Sequence, residues 1–179
     1  FFELLDWLQA HPGIDYVLLN TNGVRIAADD SFAQRLGATA KRGHFQLYLQ
    51  FDGPQLEDQI ALRGADLRQI KRNAIDRCGE LAVPVTLAMT VTPRNLTFVW
   101  SAIEFGLQFP HVRGISFQPV FGSGRVREEA AGESTRPLGC SERLNTADII
   151  LASVQQSDGQ LSYDDFTPLP CGDPNCATI

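Results

Sequence analysis

The chain has 179 residues, 44% of them hydrophobic and 20% charged, with a formal net charge of −6. That length supports one domain with a buried core, and the acidic balance argues against non-specific nucleic-acid binding. No apolar run approaches the roughly 20 residues of a membrane span, and the opening Phe-Phe-Glu-Leu-Leu-Asp lacks a basic signal region, so a cytoplasmic location is expected.

Phe1, Leu4, Leu5 and Leu8 fit a helix from about Glu3 to Ala10, stopped by His11-Pro12-Gly13. The chain opens inside that pattern, without Met or a cap, and stops at Cys-Ala-Thr-Ile. A fragment of a longer protein is expected. A strand over Tyr16–Leu19 then runs into Asn20-Thr21-Asn22-Gly23, whose Asn and Gly residues suit a strand-end loop. A short helix is predicted from Ser31 to Leu36.

The central stretch is Phe45 to Phe51. Leu47, Leu49 and Phe51 point one way; Gln46, Tyr48, Gln50 and Asp52 point the other, before a turn at Asp-Gly-Pro. A connection carrying Leu62-Arg63-Gly64 follows. Asp66 is the predicted cap of a helix to about Leu81, with an apolar stripe of Leu67, Ile70, Ala74, Cys78 and Leu81. The next strand, Val83–Val91, alternates Val83, Val85, Leu87, Met89 and Val91 against Thr86, Ala88, Thr90 and Thr92. Pro93-Arg94-Asn95 turns the chain. Leu96, Val99, Trp100, Ile103 and Leu107 mark an amphipathic helix, and Val112–Pro119 is the last strand of the series.

Strands alternating with helices read as a parallel α/β sheet. Such strands are usually apolar on both faces. Here the repeated polar face favours a ligand-holding barrel lumen over a flat, doubly wound sheet. Sites then lie at the C-terminal strand ends. Phe121–Arg143 reads as a polar loop. Asn145 is a predicted helix cap, with Ala147, Ile150, Leu151 and Val154 on one face, and the prolines of the tail forbid a long regular element.

On the lumen side the candidate binding residues are Asn20, Asn22, Gln50, Asp52, Thr90 and Gln118, with Asn95 on the following loop. Asn and Gln carry both donors and acceptors, which suits a zwitterion or a nucleoside. Four cysteines occur. Cys171 and Cys176 in a Pro-rich loop supply half of a zinc or iron–sulfur site, or are two ordinary thiols. Cys78 lies on an apolar stripe and reads as a structural thiol; Cys140 is ambiguous. His11, His44 and His111 precede strands, on the wrong side for a barrel site. Arg63, Arg113 and Arg125 are each read as solvated surface first and as anion ligands second. Phe121-Gly122-Ser123-Gly124-Arg125 lacks the following helix that a phosphate loop needs.

Thr21-Asn22-Gly23, Gln50-Phe51-Asp52-Gly53 and Leu62-Arg63-Gly64, in this order, resemble radical S-adenosylmethionine (AdoMet) enzymes. The pattern continues through Thr90-Val91, Asn95, Gly114-Ile115-Ser116-Phe117-Gln118-Pro119, Arg143-Leu144-Asn145-Thr146-Ala147-Asp148 and Pro170-Cys171. It is similar to the subgroup holding methylenetetrahydrofolate-dependent class D methylases and tetraether lipid synthases.

The resemblance implies an α/β fold: about the last four strands of a partial TIM-type (β/α)6 barrel at residues 1–120, then a C-terminal extension at 121–179 with a cysteine-containing tail. It implies AdoMet and a [4Fe–4S] cluster as cofactors, with Asn20, Thr21, Asn22, Gln50, Asp52, Thr90, Asn95 and Gln118 as cofactor-binding residues. Cys171 and Cys176 become candidate ligands of an auxiliary iron–sulfur cluster. The implied reaction forms a 5′-deoxyadenosyl radical that activates a C–H bond of a small-molecule or lipid substrate, for methylation or C–C bond formation. The Cys-x-x-x-Cys-x-x-Cys loop and the Gly-Gly-Glu strand of the superfamily are absent from this sequence and would precede Phe1. The isolated chain is therefore expected to be inactive and to self-associate through an open sheet edge. Two alternatives stand beside this one: an unrelated α/β-barrel enzyme for a phosphorylated metabolite, and a non-catalytic, metal-stabilised binding module.

Overall fold

The computed structural model describes residues 1–120, 144–169 and 177–178. Helix α1 (Phe2–Ala10) leads to strand β1 (Val17–Thr21), then α2 (Val24–Ala28), α3 (Asp30–Ala40) and β2 (Phe45–Gln50). Next come α4 (Leu56–Arg63), α5 (Arg68–Glu80), β3 (Val85–Val91), a 3-10 turn at Leu96–Phe98, α6 (Val99–Leu107) and β4 (Val112–Pro119). After residue 143, α7 (Thr146–Gln156) precedes a small antiparallel pair, β5 (Thr167–Pro168) and β6 (Ala177–Thr178). The chain divides into two compact units: Phe1–Met89 with Ser101–Ser116, and Thr90–Trp100 with Phe117–Ile179.

The sheet order is β1-β2-β3-β4. β1 pairs with β2 in parallel, Val17 opposite Phe45 through Thr21 opposite Leu49. β2 pairs with β3 in parallel, Leu47 opposite Val85 through Gln50 opposite Ala88. The start of β3 bonds the start of β4 (Val85 N–H to His111 O, 3.1 Å), and Val120 N–H donates to Val91 O at the far end. The last pair is therefore parallel as well. The fold is α/β, with four parallel strands of a partial TIM-type barrel.

In the first unit, register puts one set of side chains against the helices. Phe45, Leu47, Leu49, Val85, Leu87 and Met89 are all buried. A Cβ on Gly23 would lie 2.6 Å from Leu49 Cδ1, and one on Gly106 of α6 would lie 2.7 Å from Ile115 Cδ1. Helices thus press directly onto that face, and glycine is what lets them. The opposite face carries Gln46, Tyr48, Gln50, Thr86 and Ser116. Gln46 Nε2 donates to Thr86 Oγ1, and the Tyr48 hydroxyl reaches across β3 to Ser116 Oγ. One apolar face and one hydrogen-bonded polar face is the arrangement expected of a barrel wall.

Several local expectations are corrected. The connection after Gly53 contains a helix, α4, ended by Gly64 in the left-handed region (φ 75°). Asp66 does not cap α5; its carboxylate accepts from Arg68 N–H, and Leu67 holds the cap position. The buried face of α5 is Lys71, Ala74, Ile75 and Cys78, a lysine taking the place expected for Ile70. On α6 the inward residues are Val99, Ala102 and Gly106, while Leu107 is 77% exposed, because it ends the helix. β1 extends to Thr21 and α3 to Ala40, both beyond their predicted ends. α1 buries only Leu5, and leaves Leu4 and Trp7 exposed.

In the second unit, Asn145 caps α7 as predicted. Its side chain accepts from Asp148 N–H, and the Asp148 carboxylate accepts from Asn145 N–H. Such a cap contributes about 1 kcal/mol. The buried face of α7 is Ile149, Ala152 and Ser153, one position round from the predicted face, which contained the exposed Ala147 and Leu151.

Candidate functional site

The C-terminal ends of β1 and β2 build the site in the first unit. β1 ends in Asn20 and Thr21, with Asn20 in register with Tyr48 on the polar face. The next three residues make a tight turn. Thr21 Oγ1 accepts from Gly23 N–H and Asn22 Oδ1 from Val24 N–H, both at 3.1 Å. Gly23 then opens α2 at φ 78°, a conformation that costs glycine little.

β2 keeps its alternation only to Phe51. Ala88 O accepts from both Phe51 N–H (2.7 Å) and Asp52 N–H (3.2 Å), so one acceptor serves two successive donors. Asp52 sits at φ 60° and Gly53 at φ 91°. Strict alternation therefore does not extend to Asp52. Gln59 of α4 locks the bend: its amide nitrogen donates to Phe51 O (2.8 Å) and Gly53 O (3.0 Å).

Asp52 is fully buried and is met by a bidentate guanidinium. Arg63 Nε donates to Asp52 Oδ2 at 2.6 Å, and Arg63 Nη2 to Asp52 Oδ1 at 2.9 Å. With its oxygen turned to the guanidinium, Gln50 accepts from Arg63 Nη2 at 2.9 Å and Nη1 at 3.0 Å. One arginine thus organises two of the residues expected from sequence. Arg63 itself is no solvated surface residue, contrary to the first expectation for it. The signal that points to it is Leu62-Arg63-Gly64: a left-handed Gly64 ends α4 and leaves the last helical side chain beside the strand end.

Lys71 is a residue that sequence reasoning does not single out. It is 1% exposed, and its ammonium donates to Asn22 O at 2.7 Å. Burial pulls its pKa down to about 8; the nearby Asp52 carboxylate opposes that shift and Arg63 adds to it. A surface-type residue in an apolar helix stripe is the available signal. A shallow cavity of about 370 Å³ lies beside these residues, lined by Phe51, Gly53, Pro54, Lys71, Arg72 and Phe105 among others. Its floor belongs to the helix-facing side, with Phe51 stacked on Phe105 at 4.8 Å.

In the second unit Thr90 is half-buried and Gln118 is exposed. Asn95 is fully buried and holds its own loop: Oδ1 accepts from Thr92 N–H (2.7 Å) and Nδ2 donates to Thr90 O (3.0 Å). Cys140, Cys171, Cys176 and Phe121–Arg125 lie outside the described residues. Cys78 is buried, which pushes its thiol up to about 12, as befits a structural thiol. Among the described residues no group of three or more His, Cys, Asp or Glu is placed to hold a metal ion. His44 Nδ1 is hydrogen-bonded to Asp15 O and His111 Nε2 to Ile75 O, both at the N-terminal strand ends. No helix among the described residues is long and apolar enough to cross a membrane.

No family model matches the chain. Over 166 residues, 91% of its length, it is 30% identical to the 7,8-dihydro-6-hydroxymethylpterin dimethyltransferase of Methanocaldococcus jannaschii, and it spans 30% of that relative. Its fold is similar to anSMEcpe solved with bound AdoMet and the Kp18Cys peptide: TM-score 0.58, 20% identity, 88% of this chain and 41% of that one. Histidine-tagged anSMEcpe with bound AdoMet gives a TM-score of 0.57 at 18% identity, over 88% of this chain and 39% of that one. These likenesses show a shared fold with the two AdoMet-bound structures and sequence similarity to one part of the dimethyltransferase. The described residues supply polar strand ends and the buried Asp52–Arg63 pair.

Proposed function

We propose that this chain is the AdoMet-binding part of a radical SAM enzyme that methylates, or forms a C–C bond at, an unreactive carbon of a small molecule. The observation that carries the reading is the polar end of β2. There Gln50, on the polar face, meets Arg63, which also holds the buried Asp52, in a fold similar to AdoMet-bound structures. Donors and acceptors held rigidly at a strand end suit the amino-acid and ribose groups of AdoMet. In this reading Gln50 binds the cofactor, Arg63 held by the buried Asp52 fixes its geometry, and Asn20 with the Thr21–Asn22 turn closes the neighbouring edge. A [4Fe–4S] cluster together with AdoMet supplies the one-electron chemistry that activates the C–H bond; the described residues hold no ligand set for it. The similarity to part of a pterin dimethyltransferase supports methylation. Cys171 and Cys176 remain our candidates for an auxiliary cluster.

Calorimetry with AdoMet is the direct test, and measurable binding to this chain is expected. With iron, sulfide, dithionite and AdoMet under anaerobic conditions, the chain alone should give no 5′-deoxyadenosine above a protein-free control. Multiple turnover there would overturn the assignment of the cluster ligands to another segment.

The edge of β1 supports a second expectation. Leu18 on that strand is 53% exposed, and Leu4 and Trp7 of α1 are exposed too. Open edges pair with other chains, so light scattering of the purified chain should give a mass that rises with concentration. A strict monomer at high concentration would count against it.

A further inference from the structure

Lys71 is an expensive residue where it stands. A leucine would continue the buried face of α5 without the cost of a charge removed from water. Among the described residues its ammonium makes one hydrogen bond, to the carbonyl of Asn22. One turn along the same face, Ala74 meets the same loop: a Cβ on Gly23 would lie 3.1 Å from Ala74 Cβ. Two turns along, Arg77 Nη1 donates to Ile26 O at 3.1 Å and its Nη2 pairs with Asp30. The face of α5 therefore grips the end of β1 and the helix after it at three successive points. The first grip is the one that also feels the β2 end, through Asp52 and Arg63, the charged groups facing Lys71.

We infer that Lys71 is a positioning residue that fixes where the Thr21–Asn22–Gly23 turn stands relative to the Asp52–Arg63 pair. It touches no proposed ligand; it acts through the Asn22 carbonyl. The inference rests on the AdoMet reading for its consequence and on geometry for the clamp itself.

The two parts are tested separately. The carbonyl of Asn22 shares its peptide bond with the Gly23 nitrogen, so the ¹⁵N resonance of Gly23 reads the charge on Lys71. In the wild-type chain it should titrate with a midpoint near pH 8, well above an ordinary histidine. In Lys71→Met it should be silent. Hydrogen exchange at Gly23 and Val24 should rise about tenfold in Lys71→Met, the size of one lost charged hydrogen bond, while β3 amides keep their protection. A flat Gly23 resonance in the wild type, or unchanged exchange in the variant, would overturn the clamp. If the variant also loses β3 protection, the wild-type titration decides alone.

The unfolding profile gives an independent check of the buried charge. The folded pKa lies below the unfolded value of 10.5, so at this site the unfolded chain binds more protons between about pH 8 and 10.5. From about pH 8 to 9 stability should rise in the wild type and stay flat in Lys71→Met; above about pH 9 the buried Cys78 thiol, pushed up to about 12, opposes that rise, so the variant loses stability where the wild type levels off. For the consequence, AdoMet affinity should fall about tenfold in the variant. Unchanged affinity beside a loosened turn would overturn the positioning role. Failure of the wild-type chain to bind AdoMet would overturn the functional reading instead, with the Gly23 titration still deciding the clamp.

Discussion

Phe51→Ala should cost about 3–5 kcal/mol of stability, the range for emptying a buried aromatic site. Phe51 is 3% exposed and stacks on Phe105 at 4.8 Å, with rings 19° from parallel. Chemical denaturation will show the loss as a lower midpoint at unchanged slope. Gln50→Leu, one residue back, should behave in the opposite way. Its side chain lies half-buried on the polar face, so losing the Arg63 contact should cost only about 1 kcal/mol, a melting temperature lower by about 2–4 °C. AdoMet binding should weaken by about 1–3 kcal/mol, because a polar group of the ligand would lose its partner. Strand geometry alone separates two neighbours this way. If Gln50→Leu binds AdoMet normally and Phe51→Ala loses binding at full stability, the assignment of faces is wrong.

Arg63→Met should be the most damaging change at the polar face. It leaves the Asp52 carboxylate, 1% exposed, without the two guanidinium bonds at 2.6 and 2.9 Å. Removing one partner of a buried pair costs about 3–5 kcal/mol in general. Here about 3 kcal/mol is expected, because Lys71 still offers attraction to Asp52. Adding Asp52→Asn to Arg63→Met should restore much of that loss, since a neutral amide tolerates burial better than a carboxylate stripped of its guanidinium. Urea melts of the two single variants and the double variant measure this coupling directly. An Arg63→Met variant as stable as the wild type would remove the pair from any account of the β2 end.

The four strands, their order and the split between a helix-facing and a polar face were legible in the sequence. Alternation has period two, and a parallel register puts like faces together across the whole sheet, as with Leu19, Leu47 and Val85. The cap at Asn145 was legible because it needs only a local carboxylate three residues on. Gln50 falls on the half-buried, polar face for the same periodic reason.

What periodicity could not supply were contacts between residues far apart in the chain. Asp52 leaves the strand pattern at φ 60°, and its environment comes from Arg63 at the end of a helix that reads in sequence as a mere connection. Lys71 has the composition of a surface residue. Only the packing of α5 against the turn after β1 buries it, through an oxygen 49 positions earlier in the chain. Local sequence thus determined which face of each strand would be polar, since that follows from alternate backbone geometry. Tertiary packing decided which charges are buried on or beside it, since desolvation depends on neighbours that no short window of sequence contains.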